Sequence, residues 1–447
     1  MAQTYLTKTS PTAGNRTKGT ISVWIKRSGL GANQWIYTDY YSSDNYAGIR
    51  FGSNDTLGVY SVGGGSAQMN VNTNRVFRDT SAWYNLCVAW DTTDGTAADR
   101  IKVYVNGERE TFSGSPTYPT SSQDIMFSIG GSYPIVIGRR GDNAEYFNGS
   151  MSHFHRVDNQ ALAPTVFGST DSTTGEWQIN TSPSITYTGS SDYNFFILKD
   201  ANSVTDQSGQ SNNLTVGYGT LTKTEDNPSN VFATLNPLVN IGTTTTYSQG
   251  NNTASTSDAN YKVSPSTLAV SSGKWYMEFK AVSGSFGSID AAVGILQTDT
   301  NFSTSSQNLN AYPNGYSYGS LGKVKQYNNS DVYTASTYAD GDIIGIALDM
   351  DNNKLYFHKN GTYQNSGVPT SGSTGTGAVS ITSGKEYYFG CSTITAGGTK
   401  VFSANFGNGY FGTTAVSSAG TNASGIGIFE YDVPTGYTAL STKGLNL

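Results

Sequence analysis

Two neighbouring stretches, Trp83-Tyr-Asn-Leu-Cys-Val-Ala-Trp-Asp91 and Arg100-Ile-Lys-Val-Tyr-Val-Asn-Gly107, carry the clearest structural signal in the chain. Apolar side chains recur at every second position in both, which is the period of a half-buried strand. The second stretch closes on Asn106-Gly107, the pair best suited to a tight hairpin whose central residues need positive φ. Upstream, Thr20-Ile-Ser-Val-Trp-Ile-Lys26 puts Ile21, Val23 and Ile25 on one face and Trp24 on the other. Downstream, Tyr133–Gly138, Gly149–Val157 and Phe195–Leu198 continue the strand rhythm.

The pattern resumes in the second half, in Lys274–Lys280, Asp342–Asp349 and Val401–Gly407, with Lys354–Lys359 closing on Asn360-Gly361. Between the halves, Asp226-Asn-Pro-Ser to Gly250 is rich in Asn, Thr and Pro and poor in strand signal. These features predict an all-β protein of two antiparallel β-sandwich (jelly-roll-type) domains joined by an irregular linker. The expected boundaries are 1–221, 222–260 for the linker, and 261–447.

Composition agrees with strands and turns. The chain of 447 residues holds 52 Gly, 30 Tyr and 19 Phe, and only 13% of its residues are charged. An average soluble domain carries ~25% charged residues, so Ser, Thr, Asn and Gly supply the polarity here. The net charge is −6, with Lys and Arg scattered, and no basic stripe is available to neutralise phosphates. Nucleic acid is therefore not an expected partner. Neither is membrane insertion, because no apolar run approaches the ~20 residues of a span. Cys87 and Cys391 each sit in an apolar stretch and read as buried free thiols.

The opening MAQTYLTKTSPTAG lacks the apolar core of a secretory signal. A surface-type composition without an export signal points to a virion component, folded in the host cytoplasm and released by lysis, with a protein using a non-classical secretion route as the other possibility.

The first half resembles the concanavalin-like, laminin-G-like jelly rolls, through Ile21-Ser-Val-Trp-Ile25, Trp83–Asp91, Ile101–Gly107 and Phe147–Val157 in that order, with the turn Asp206-Gln-Ser-Gly-Gln-Ser-Asn-Asn-Leu214. The second half resembles a SPRY domain through Gly273-Lys-Trp-Tyr-Met-Glu-Phe279, Ala291-Ala-Val-Gly-Ile295, Gly341–Asp349 with Asn360-Gly361, and Asn405-Phe-Gly407 with Phe411. The SPRY resemblance implies partner-binding loops on a scaffold without chemistry of its own. The tandem, ending in Pro434-Thr-Gly-Tyr-Thr-Ala-Leu440, resembles structural proteins of tailed phages.

Expected function follows from the resemblance and from the absence of assembled catalytic groups. The chain is expected to be a non-enzymatic phage virion surface protein that attaches to the host by glycan or protein binding, as a tail fibre or receptor-binding tip does. A capsid-surface decoration protein is the alternative, and a glycan-cleaving enzyme comes third. Other virion proteins and a host-surface glycan or protein are the expected partners, and a homo-oligomer is left open.

Candidate binding residues are the aromatics of turn-rich stretches: Trp35, Tyr37, Tyr40 and Tyr41, with Tyr46, in the first half, and Tyr312, Tyr316, Tyr318 and Tyr327, with Tyr333 and Tyr338, in the second. A tyrosine offers a flat apolar face and a polar tip at low entropic cost.

Other constellations read more plainly as structure. Asp349, Asp351 and Asn353 have the spacing of a calcium loop, but Lys354 and Asn360 stand where that loop needs Gly and Glu, so a hairpin turn is the better reading. His153 and His155 share a strand face and lack further zinc ligands. Glu108 and Glu110 are the nearest approach to a glycosidase pair and read as a solvated hairpin arm. No metal or cofactor is expected. Calcium at Asp39, Asp44 and Asp55, which the laminin-G-like resemblance allows on rim loops, is the alternative.

Overall fold

The computed structural model describes residues 3–8, 12–131, 133–188, 192–199, 203–239, 245–257, 261–288, 291–301, 308–393 and 399–446. The chain divides into two compact units, Met1–Lys223 and Thr224–Leu447. Both are antiparallel β-sandwiches, and the only helical elements among the described residues are short 3-10 turns.

In the first unit a seven-stranded sheet runs in the order Thr215–Tyr218, Tyr5–Lys8, Ile135–Ile137, Gln34–Ser42, Asn45–Phe51, Thr56–Gly63, Ser66–Val76. The second sheet has six strands, ordered Phe195–Ile197, Gly149–Asp158, Lys18–Arg27, Trp83–Asp91, Ile101–Val105, Glu108–Arg109. Alternation sends one set of side chains from each sheet into a shared core, including Ile21, Val23, Ile25, Ile49, Val59, Val71, Leu86 and Val103. The predicted hairpin turn is present, with Asn106 at φ 50° and Gly107 at φ 81°.

The second unit holds a sheet whose main path runs Thr245–Ser248, Thr253–Thr256, Lys400–Asn405, Lys274–Ser283, Ile343–Asp349, Lys354–Lys359, Thr362–Tyr363. Thr438–Ala439 joins it by pairing parallel to Lys274–Ser283. The facing sheet is ordered Lys262–Val270, Tyr387–Thr393, Ala292–Gln297, Tyr316–Gly319, Lys323–Gln326, Ser330–Thr334. Asn360 and Gly361 close the second Asn-Gly hairpin with φ of 48° and 81°.

The expected linker at 222–260 is not a linker where it is described; its residues 240–244 and 258–260 lie outside the described residues. Phe232 and Leu235 are buried, Phe232 bridges to Ser441, and Leu235 bridges to Ser266. Thr253–Thr256 pairs with Lys400–Asn405. The stretch hides its role because it pairs through single bridges and short strands, with apolar residues too sparse to alternate.

Cys87 and Cys391 are buried free thiols, and burial pushes both well above the usual thiol value.

Candidate functional site

The outward face of the seven-stranded sheet in the first unit carries a row of aromatic rings. A β-bulge between Trp35 and Tyr37 breaks the alternation and sends the two to opposite faces. Tyr37 enters the core, whereas Trp35 lies on the outer face against Tyr46 and Tyr60, at centroid distances of 5.9 and 6.0 Å. Tyr40 extends the row by stacking on Tyr46 at 6.3 Å.

Two glycines let the Trp35 and Tyr60 rings approach the backbone closely. A Cβ on Gly48 would come within 2.7 Å of the Trp35 ring, and one on Gly58 within 2.3 Å of the Tyr60 hydroxyl.

Arg50 ties the row together. Its guanidinium lies 4.6 Å from the Tyr60 centroid and 5.4 Å from that of Trp35, a cation–π arrangement on two rings. Glu145 closes the far side. It accepts hydrogen bonds from Trp35 Nε1 at 2.6 Å and Asn33 Nδ2 at 3.2 Å, and stands 3.8 Å from Arg50 and 3.4 Å from Arg140. Beyond Tyr60, its hydroxyl donates to Asn72 Oδ1, and Asn72 Nδ2 donates to Asn70 Oδ1 at 3.0 Å. Asn33, Arg50, Tyr60, Asn70 and Asn72 line an open groove of about 490 Å³, bounded also by Asn54 and Ser113. Sugar hydroxyls suit such carboxamides, and sugar rings suit such aromatic faces.

The candidate residues read from sequence divide sharply. Trp35 and Tyr40 belong to the row, although Trp35 forms its buried floor at 2% exposure. Tyr41 is exposed and sits edge-on to Tyr133, and Tyr327 is exposed. Tyr37 is a core residue, not a loop residue, and its hydroxyl donates to Asp39 at 2.9 Å.

The 312–318 cluster, expected on a binding loop, is buried. Tyr316–Gly319 is an interior strand paired on both edges, so Tyr316 and Tyr318 point into the core. Tyr312 packs with Val263, Leu296 and Leu309 in a smaller cluster, and Tyr338 is also buried. Their hydroxyls are met from within: Tyr338 donates to the Ala291 carbonyl at 2.8 Å, and Tyr316 accepts from Thr382 N at 3.0 Å. Tyr333 is half-buried against the same core.

The acidic calcium candidates do not form a rim set. Asp39 is buried and accepts from Ser128 N at 3.0 Å, and burial pushes its carboxyl up to about 6. Asp55 is buried and takes Arg27 at 3.0 Å, Arg78 at 3.1 Å and Gly31 N at 2.9 Å. Burial pushes the Asp55 carboxyl up, but the Gly31 and Arg78 hydrogen bonds and the Arg27 charge outweigh it and hold it below its ordinary value. Asp44 is exposed in a separate turn. Among the described residues no three His, Cys, Asp or Glu side chains are grouped as a metal site.

The remaining candidates are structural. Asp349 pairs with Lys274 at 2.9 Å and caps the hairpin through Asn352 N at 3.0 Å, while Asp351 accepts from Gly273 N. The rings of His153 and His155 both meet Phe196, at 5.7 and 3.8 Å, although the register shifts between Ser152 and His155. His155 stacks on Phe196 at 3.8 Å, and burial holds it neutral. Glu108 and Glu110 both grip Arg75, at 2.9 and 3.1 Å. No helix among the described residues is long and apolar enough to cross a membrane.

Sequence reasoning missed Arg50, Tyr60, Asn70, Asn72 and Glu145. Asn70-Val-Asn-Thr-Asn74 alternates carboxamides with core residues, and that was the available signal for the polar end of the groove.

Residues 2–166 match the Concanavalin A-like lectin/glucanases superfamily, in its Laminin_G_3 form, and residues 274–392 match the SPRY domain. The chain thus carries a concanavalin A-like sandwich followed by a SPRY sandwich, both typically non-catalytic binding domains. Among solved structures, the SPRY domain of human HERC1 is 17% identical, with 38% of this chain and 96% of that one covered and a TM-score of 0.31. A human SPRY domain is 15% identical over 34% of this chain and 90% of that one, with a TM-score of 0.26. A heptameric SAP-like pentraxin from Limulus polyphemus is 17% identical over 49% of this chain and 90% of that one, with a TM-score of 0.30. No curated protein matches the chain.

Proposed function

We propose that this chain is a non-enzymatic surface protein of a virus particle, of the tailed-phage kind, that attaches to its host by binding a surface glycan or protein. The observation that carries the binding reading is the aromatic row Tyr40–Tyr46–Trp35–Tyr60 on the outer sheet face, in which Trp35 is the buried floor and the half-buried Tyr40, Tyr46 and Tyr60 stand around it, continued by Asn72 and Asn70. Rings fixed in advance by packing lose little entropy when a ligand stacks on them. The non-catalytic part is supported by Glu108 and Glu110 being held on one arginine rather than facing each other across a cleft. The virion part rests on a Ser/Thr/Asn/Gly-rich composition with 13% charged residues, spread over two sandwiches.

Adhesion tests the reading. Labelled soluble chain is incubated with a panel of bacterial cells, and bound protein is measured against concentration. Saturable binding to some strains, weakened by Tyr60→Ala, is the expected result. Binding that never saturates, or that ignores Tyr60→Ala, would overturn it. Antibody labelling of particles in the electron microscope locates the chain on the virion or shows that it is not there.

A further inference from the structure

We infer that the edge strand Thr215–Tyr218 joins two copies of this chain, pairing antiparallel with its own counterpart across a two-fold axis.

An edge strand presents a row of unpaired N–H and C=O groups, and such a row takes up another strand unless something blocks it. The two main sheets of the first unit have four edges among the described residues, and three are blocked. Ser66–Val76 is covered by the segment 111–117: Asn70 and Thr117 exchange two backbone hydrogen bonds at 2.9 Å, and Asn74 N donates to the Thr111 carbonyl at 2.9 Å. Phe195–Ile197 is capped by a turn: Phe196 N donates to Asp206 Oδ1 at 2.9 Å, and its carbonyl accepts from Gln207 N at 2.7 Å. Glu108–Arg109 consists of two charged residues, paired with Arg75 at 2.9 Å and Asp99 at 2.7 Å.

Thr215–Tyr218 has none of these guards. One side pairs with Tyr5–Lys8, and among the described residues no strand or bridge meets the other side. All four residues are exposed, Val216 at 41% and Tyr218 at 62%. The register shift opposite Tyr5 and Leu6 makes Gly217 the extra residue of a bulge, and glycine puts no side chain in a partner's way.

The occupant must be an extended strand, because backbone groups are what the edge offers. Charge points to a second copy. Each chain carries a net charge of −6, so two copies repel unless they meet where charge is absent. A two-fold axis sets each residue beside it near its own counterpart, so a charged residue there would meet its like. Leu214-Thr-Val-Gly-Tyr-Gly-Thr-Leu-Thr222 holds no charged residue. A foreign strand chosen by opposite charge would find nothing here to read. The contact also closes on itself. Pairing consumes the open edge of each first unit, and the three blocked edges give a third copy no place, so the product is a dimer and not a fibre. Four paired residues make a small contact, below the ~1,200 Å² of a standard interface, so the association depends on concentration.

Sedimentation equilibrium of the full chain, from micromolar to near-millimolar concentration, tests the inference. A reversible monomer–dimer equilibrium is the expected result. Val216→Lys places a cation near its own counterpart and is expected to raise the dissociation constant at least about tenfold with the melting temperature unchanged. Tyr218→Lys, at the more exposed position, gives the same reading should Val216→Lys lower the melting temperature. Cys87 and Cys391 are buried, so the thiol of Val216→Cys is the accessible one, and mild oxidation is expected to link two copies covalently. A monomer at every concentration would overturn the inference. So would a dimer that keeps its strength in both lysine variants, which would place the contact elsewhere, and so would growth past two copies.

Discussion

At the scale of single residues, Glu278 is a carboxyl of the second unit held entirely inside the fold. It is 0% exposed and accepts four hydrogen bonds: from Tyr276 Oη at 3.0 Å, Asn405 Nδ2 at 3.2 Å, Glu430 N at 3.0 Å and Tyr431 N at 2.9 Å. Tyr276 Oη also lies 2.7 Å from His358 Nε2, and burial holds that imidazole down at about 3, so it stays neutral. In Glu278→Gln one carboxylate oxygen becomes an NH2 that faces existing donors. We expect a loss of ~2–4 kcal/mol, read by urea denaturation.

The pH dependence of this residue has a definite sign. Burial raises the folded carboxyl from 4.5 to about 7, despite the donors around it. The unfolded chain therefore ionises first, and this contribution to stability, full below pH 4.5, is lost as pH rises through 7. Asp39 in the first unit acts in the same sense, between 3.8 and about 6. The melting temperature is expected to fall between pH 5 and pH 7, and Glu278→Gln is expected to flatten that fall in the second unit. A rise over the same interval would show that the donors, not burial, dominate.

Among elements, the strands Asn45–Phe51 and Thr56–Gly63 build the groove, and their glycines separate two kinds of constraint. A Cβ at Gly48 would lie 2.3 Å from the Tyr37 carbonyl oxygen, which is backbone and cannot retreat. The atoms nearest a Cβ at Gly58 belong to the ring and hydroxyl of Tyr60, a side chain that can move. Gly48→Ala is expected to lower the melting temperature clearly. Gly58→Ala is expected to leave it within a few degrees and to weaken ligand binding by tilting Tyr60. Equal thermal losses in the two variants would refute the distinction.

The alternating strands around Trp83–Asp91 and Lys274–Lys280 were legible in sequence because period 2 and Asn-Gly turns are local properties. The groove was only partly legible. Trp35 reaches the outer face through a bulge that no local pattern announces, and Arg50 and Glu145 meet it from other segments. Tyr316 and Tyr318 misled because a tyrosine can bury its ring while its hydroxyl finds a partner at the rim, so a turn-like neighbourhood of Pro, Asn and Gly did not mean exposure.

On the scale of the whole molecule, the boundary at Lys223 makes a prediction that the sequence boundary does not. Residues 1–223 and 224–447 are each expected to fold alone, with cooperative unfolding. A chain starting at 261 loses Phe232, Leu235 and Ala254 from its core, along with the strand that pairs with Lys400–Asn405. It is expected to aggregate or to unfold without cooperativity, as circular dichroism melts would show; a stable 261–447 would overturn this boundary.

The parallel pairing of Thr438–Ala439 against Lys274–Ser283 has a consequence for biogenesis. Residues about 160 positions apart must meet before the middle of that sheet is complete, so little native structure in this unit is gained until its last turns have left the ribosome. The first unit reaches its final paired strand by Tyr218 and can mature while the remainder is still being translated.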